Sequence, residues 1–528
     1  MTNDIQRALL TGNAKHILHR MEERERATLN TYAALHSKPK PPALFRASFL
    51  NPAMHTRGMA LEPVRPHAHP RSHAFAFLNA RQPEGLRVIS RRSVLKAGLT
   101  GLAGLSLPQL LRLRAATSPT APAVPRDKAV ILLWMTGGPS HIDTWDVKPD
   151  RPLENRGPFK DIPTKLPGVH ICEHLPKQAA MMDKFTLIRS VDCRESNHEP
   201  NMVMQTANLA AEPRTNTKGH LYPAIGSVVA KFRGSTQPAM PPYVVLNLKD
   251  RSHVGWGGYL GRQFDPFVGR SGDALFQLPG QLTMDRLRDR RSLSQQMDQL
   301  RSNLDGAGQM DAVDRFAQQA FDIVAGGRAQ SAFDLANEPA RMVERYGTHD
   351  WCRQALLARR LVQAGVSFVT IDLSNHSASG TWDTHGDNIP PYGGIWNGLR
   401  PLLPVFDHLL TTLVADLEDH GLLENTLVLA MGEFGRTPKL GTQDSTDGRD
   451  HWPYVMSMVM AGGGFRHGQV IGASSRDGGE IAERPITPGD LAATIYRHFG
   501  VPADATYLDH QGRPLRIVEH GEAIRELL

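Results

Sequence analysis

The strongest constraint on how this chain can fold is a repeated alternation along it. Apolar-rich runs of strand length, the first of them continuous, alternate with segments whose apolar residues recur every three or four positions. The runs are Lys128–Thr136, Phe185–Val191, Pro242–Leu248, Ser367–Ser374, Asn425–Phe434 and Val455–Gly463. A strand with no polar alternation is one buried on both faces, as in a sheet sandwiched between helices. Between the runs lie helical patterns at His174–Lys184, Asp285–Arg301, Arg353–Gly365 and Gly489–Gly500. The clearest has Leu402, Leu403, Phe406, Leu409, Leu410, Leu413, Val414 and Leu417 on one face. The sequence therefore predicts an α/β fold, a three-layer α/β/α sandwich around a mostly parallel sheet. No internal repeat is visible, and Gly137-Gly138-Pro139-Ser140 lacks the Gly-Lys of a phosphate-binding loop.

Charge has to be divided before it is interpreted. The 528 residues carry a formal +7. Residues 1–123 hold 18 of the 60 Lys and Arg but only 6 of the 53 Asp and Glu, leaving 42 basic against 47 acidic residues afterwards. The first quarter is strongly basic and the remainder mildly acidic. That removes the case for nucleic-acid binding, which rests on the whole-chain charge alone. Within the first quarter, Ser90-Arg91-Arg92-Ser93-Val94-Leu95-Lys96 precedes 15 modestly apolar residues, Ala97–Leu111. A membrane span needs about 20 strongly apolar residues, so no stable span is expected once this segment is removed. The pattern is that of a twin-arginine export signal over residues 90–123, which places the product in the periplasm or cell envelope. Residues 1–89 read as a disordered extension or as sequence upstream of a true start at Met54 or Met59, and 124–528 as a single α/β domain. Three cysteines, Cys172, Cys193 and Cys352, form no CxxC pair and read as inert.

Parallel sheets bind ligands beyond the carboxyl ends of their strands. The first run is followed by Ser140, His141, Asp143 and Asp146; the second by Ser196, His198 and Glu199; the fourth by His376, Asp383, His385 and Asp387; the fifth by Glu433 and Arg436, and later by Asp450 and His451. Four strands thus end in imidazole and carboxylate groups with no cysteine among them. That donor set suits one or two divalent ions, with zinc, manganese, iron or calcium as candidates. His141, Asp143, Asp383, His385, Glu433, Asp450 and His451 are the candidate ligands. Arg436 is expected to offer a planar fork to a phosphate- or sulfate-like group, and His198 to stabilise charge or shuttle a proton. Ser196 is a candidate nucleophile, with Ser140 a weaker one.

Taken together, LLWMTGGPSHIDTWDVKP, NHEPN, WDTHGDN, MGEFGRTPK and GRDHWP resemble the exported family called domain of unknown function 1501. The resemblance runs from about Ser90 to the C-terminal DHQGRPLRIVEHGEAIREL. It implies an alkaline phosphatase and sulfatase-like sandwich with a metal centre at the strand ends. It further implies Glu433 as an acidic ligand closing its strand, His451 as a later metal-binding histidine, and Asp383 with His385 as an acid-plus-histidine pair. The Cys/Ser-x-Pro-x-Arg nucleophile sequence of sulfatases is absent, and ESNHEPN stands in its place. Two functions are expected from this reading. One is a metal-dependent hydrolase of phosphate or sulfate esters, carried on a small molecule or a polysaccharide. The other is a non-catalytic exported binding protein for a polysaccharide or cell-envelope ligand.

Overall fold

The computed structural model describes residues 127–198, 201–269, 321–323, 327–386, 388 and 390–528, all within a compact unit running from Leu111 to Leu528. The export signal, the 1–89 extension, the Asp285–Arg301 helix, Glu199 and Asp387 lie outside the described residues.

The strands that organise the site are, in chain order, β1 (Ala129–Trp134), β2 (Asp161–Pro163), β3 (His170–Cys172), β4 (Phe185–Val191), β5 (Tyr243–Leu246) and β6 (Phe267–Gly269). There follow β7 (Phe368–Asp372), β8 (Thr426–Met431), β9 (Gly435–Arg436), β10 (His451–Trp452), β11 (Met456–Gly462) and β12 (Gln469–Ile471). Eight of them form one sheet in the order β12-β4-β11-β8-β1-β7-β5-β6. Every neighbouring pair is parallel except the two made by β11, which runs against both β8 and β4.

β1 sits at the centre because Ala-Val-Ile-Leu-Leu-Trp is apolar on both faces and all six residues are buried. Alternate side chains go to opposite layers. Ile131 and Leu133 join the core shared with the Asp350–Ala364 and Arg400–Asp419 helices, while Val130, Leu132 and Trp134 join that of Ile225–Phe232 and Pro488–His498. The predicted three-layer α/β/α sandwich is the observed one. Its helices follow their sequence signals closely. Asp350–Ala364 stops at Gly365, which takes φ +112°, and Pro488–His498 opens with a Thr487/Asp490 capping box.

One strand departs from a purely parallel sheet for a physical reason. A parallel neighbour requires a crossover, commonly a helix, that returns the chain to the starting edge. Residues 432–455 contain no helix, so the chain stays at the carboxyl edge of the sheet and β11 must run back from it. The strand ends there are flush: Trp134 pairs with both Asp372 and Met431, and Val191 with Met456.

Candidate metal centre

The site is assembled at this flush edge by four strand-end segments. The loop after β4 carries His198, and the loop after β7 carries Asp383 and His385. Glu433 lies two residues past β8. The two-residue ladder β9–β10 pairs Arg436 with His451 and so folds that histidine back over the edge. The turn after β1 closes the floor. Gly137 (φ +116°) must be glycine, since a Cβ there would lie 2.2 Å from the backbone nitrogen of Asp383.

His198, Asp383, His385 and His451 each present one ligand atom, and all four atoms lie within 4.8 Å of one another. His198 Nε2 is 2.7 Å from His451 Nε2 and 3.4 Å from Asp383 Oδ2, while His385 Nε2 is 3.2 Å from Asp383 Oδ1. Each group is held from behind. His198 Nδ1 faces Glu433 Oε1 at 2.8 Å, and Glu433 is in turn fixed by the Gly137 N–H at 2.8 Å. His385 Nδ1 lies 3.5 Å from Asp450 Oδ1. Asp383 Oδ1 accepts from Arg436 Nη2 at 2.6 Å. A carboxylate behind a histidine fixes its ring and tautomer, the arrangement found around metal-binding imidazoles.

The donor set fits a metal, and two observations of packing support this. Glu433 Oε2 and His385 Nδ1 are buried without a hydrogen-bond partner among the described residues. Burial holds His451 down at about 4 and also lowers His385, so both rings are neutral and keep a lone pair for an ion. Burial acts against a charged His198 as well, yet Asp383 and Glu433 raise it to about 9. That rise reports a negative potential suited to a cation. For Asp383, burial is outweighed by the Arg436 guanidinium and by His198, which hold its carboxyl well below the usual range. Three imidazoles and one carboxylate suit zinc, manganese or iron; calcium, which takes oxygen ligands, does not match this set.

Some expected residues stand elsewhere. The structure does not bring His141 or Asp143 into the cluster. His141 is buried with Nε2 2.8 Å from the Gly478 carbonyl, and Asp143 forms a wholly buried ion pair with Arg449, Oδ2 to Nε 2.6 Å. Ser140 is consumed in the same knot, its Oγ donating to Asp143 Oδ2 at 2.5 Å. Asp146 is buried against Lys148 and Ser474. Glu433 and Asp450 stand behind His198 and His385 rather than among the four converging atoms. Arg436, expected as an exposed anion fork, is fully buried. Its guanidinium donates to the carbonyls of Gly137, Gly138 and Arg449 and to Asp383, so it clamps the ligand loop. Ser196 is buried and its Oγ has no hydrogen-bond partner among the described residues. Burial pushes the Cys193 thiol far up, consistent with an inert group.

Three partners escaped the sequence reading: Arg449, Asp372 and His253. Nothing in the sequence sets Arg449 apart from any other loop arginine. Asp372 is the last residue of an apolar run, and a charged residue fully buried at a strand end was the available signal. His253 ends a single 3-10 turn, Arg251–His253, with no sequence motif around it.

The fold and cluster thus define an α/β/α protein with a histidine-rich, metal-type site at the carboxyl edge of its sheet. The chain belongs to the family described as "Protein of unknown function (DUF1501)", whose model matches residues 127–528. No curated protein matches its sequence. Among solved structures it is similar to the PsFucS1 sulfatase from Pseudoalteromonas sp., at 13% identity and TM-score 0.32, covering 78% of this chain and 72% of that one. It is similar to the phosphonate monoester hydrolase of Agrobacterium radiobacter, at 9% identity and TM-score 0.33, covering 76% and 77%. It is also similar to Ps i-CgsB in complex with k-i-k-neocarrahexaose, at 12% identity and TM-score 0.34, covering 71% and 72%. Likeness at this level carries no argument about chemistry. Among the described residues, no helix is long and apolar enough to cross a membrane.

Proposed function

We propose that this protein is a metal-dependent hydrolase of phosphate or sulfate esters, on a small molecule or a polysaccharide. The single observation that carries the reading is the convergence of His198, Asp383, His385 and His451 from three separate loops, each with a ligand atom in reach of the others. Glu433 Oε2, buried without a hydrogen-bond partner among the described residues, and the carboxylates that raise His198 both favour a cation at this point. His198, Asp383, His385 and His451 would hold a divalent ion, which would supply Lewis-acid stabilisation of an ester oxygen. The chain's own contribution is positional. Glu433 orients His198, Asp450 lies 3.5 Å behind His385, and Arg436 fixes Asp383. Arg436 is spent on that task, so recognition of the anionic group falls to the ion and to the backbone around it.

Ser196 is the nucleophile candidate that the geometry supports least directly, since no base touches its Oγ among the described residues. That same observation favours a second reading, a non-catalytic exported binding protein on the same fold that recognises a polysaccharide or cell-envelope ligand. We also take the basic leader, residues 90–123, as a twin-arginine signal that delivers residues 124–528 to the periplasm or envelope as one domain.

The test is metal analysis of the purified mature chain together with a screen of aryl phosphates and aryl sulfates. Stoichiometric metal, lost in Asp383→Asn and His385→Ala, with turnover that falls in the same variants, supports the hydrolase. Metal without turnover across the screen moves the reading to the binding protein. Absence of metal in the folded wild-type protein overturns the hydrolase.

A further inference from the structure

Beside the cluster, at the end of β7, the Asp372 carboxylate is completely buried. Its Oδ1 accepts from Thr136 Oγ1 at 2.5 Å, and its Oδ2 accepts from the Lys249 N–H at 3.1 Å and faces His253 Nδ1 at 2.9 Å. His253 is equally buried, and its other ring nitrogen, Nε2, lies 2.8 Å from the carbonyl of Ala378. A carboxylate and a carbonyl only accept, so a ring placed between them has to donate from both nitrogens.

Both arms of this arrangement end on one segment. Through His253, Asp372 reaches Ala378. Through Thr136, whose carbonyl accepts the Trp382 N–H at 3.0 Å, it reaches the residue before Asp383. The segment so held, 373–385, carries two of the four converging ligands. We propose that Asp372 and His253 are positioning residues of the metal centre: a buried carboxylate–imidazolium pair that pins the Asp383/His385 loop at Ala378 and Trp382.

The inference rests on the metal reading above for its consequence, but the charge state of His253 stands on its own geometry. Burial opposes a charged ring here, and the Asp372 carboxylate nevertheless raises it. The groups that face or act on His253 are Asp372, the Ala378 carbonyl, His376 and the more distant Glu433. A contiguous hydrogen-bonded chain of this kind has a checkable effect on the far site, because substitutions along such a network shift binding by roughly 2- to 30-fold.

Two readouts test it on the full mature chain. In the first, nitrogen-15 spectra of the histidine side chains at pH 7.5 show one ring protonated at both nitrogens, assigned by its disappearance in His253→Gln. In the second, zinc affinity measured by chelator competition falls about tenfold in His253→Gln. Tyr346→Phe, which removes a buried hydrogen bond to Asp416 at 2.9 Å, serves as a control for lost stability and binds zinc as the wild type does. If His253→Gln does not fold, Asp372→Asn decides: the ring then holds a single proton, keeps the Ala378 bond, and zinc affinity drops by less than in a loop freed entirely. A neutral His253 in the wild-type spectra, or folded His253→Gln with wild-type zinc affinity, overturns the proposal. Wild-type protein that binds no zinc while His253 is doubly protonated overturns the metal reading and with it the positioning role, but leaves the ion pair in place.

Discussion

Asp143 offers the sharpest test of the geometry, because sequence pattern and tertiary structure assign it opposite roles. By position it reads as a metal ligand after the first strand. In the structure its side chain and that of Arg449 are fully buried against each other, with Nε to Oδ2 at 2.6 Å and Nη2 to Oδ1 at 3.3 Å. Arg449 also donates to the carbonyls of Thr437, Pro438 and Asn155 at 2.9, 2.7 and 2.7 Å, so it ties three segments together. Asp143→Asn keeps the shape and removes the charge, leaving a buried guanidinium without its anion. Breaking a buried pair from one side costs roughly 3–5 kcal/mol, and the isosteric amide places this variant near about 3 kcal/mol. Unfolding entropy of about 2.1 cal/mol/K per residue over roughly 400 residues gives close to 0.85 kcal/mol/K, so Tm should fall by about 4 °C. The assay is thermal unfolding by circular dichroism, paired with elemental analysis of the folded variant. The expected result is a lower Tm with metal content unchanged. Loss of the metal with Tm preserved would refute the assignment and restore Asp143 as a ligand.

Other outcomes follow from the same contacts. Glu433→Gln removes the anion behind His198 and should weaken zinc binding by about 10- to 100-fold, read by chelator competition. Gly380→Ala should loosen the ligand loop and lower both Tm and zinc affinity: its φ is +115° and a Cβ would lie 2.1 Å from the Thr136 carbonyl oxygen. His498 is buried, with Nε2 2.9 Å from the Ala129 carbonyl, and burial lowers it to about 4. Its folded pKa is below its unfolded value near 6.5, so its contribution is complete above pH 6.5 and is lost as pH falls towards 4, roughly 3 kcal/mol in all. Chemical denaturation from pH 4 to 7 should therefore show a shallower slope in His498→Gln than in the wild type; equal slopes would contradict the buried neutral ring. Leu413→Ala, in the core under the sheet, should cost about 2–5 kcal/mol.

What the sequence determined by itself is the layer architecture and the edge on which chemistry sits. Apolar runs such as Ala129–Trp134 and the Leu403–Leu417 face are local patterns, and burial on both faces of a strand or one face of a helix follows from them directly. Because strand ends are also local, His198, Asp383, His385 and His451 could be picked out as candidates without coordinates. Which of the candidates converge was decided only by the tertiary structure. Asp143 and Asp383 look alike in sequence, each an acid in a loop past an apolar strand. One meets Arg449, 306 residues away, and the other meets Arg436 and three histidines. Arg436 changes role for the same reason: its spacing suggested an open anion fork, but the turn at Gly137 and Gly138 folds over it and takes its donors. The direction of β11 and the Asp372–His253 pair are likewise products of long-range closure. A side chain's type is written in the chain, but its partner is set by which distant segment the packed sheet brings within about 3 Å, and the strength of a buried charge depends on that partner alone.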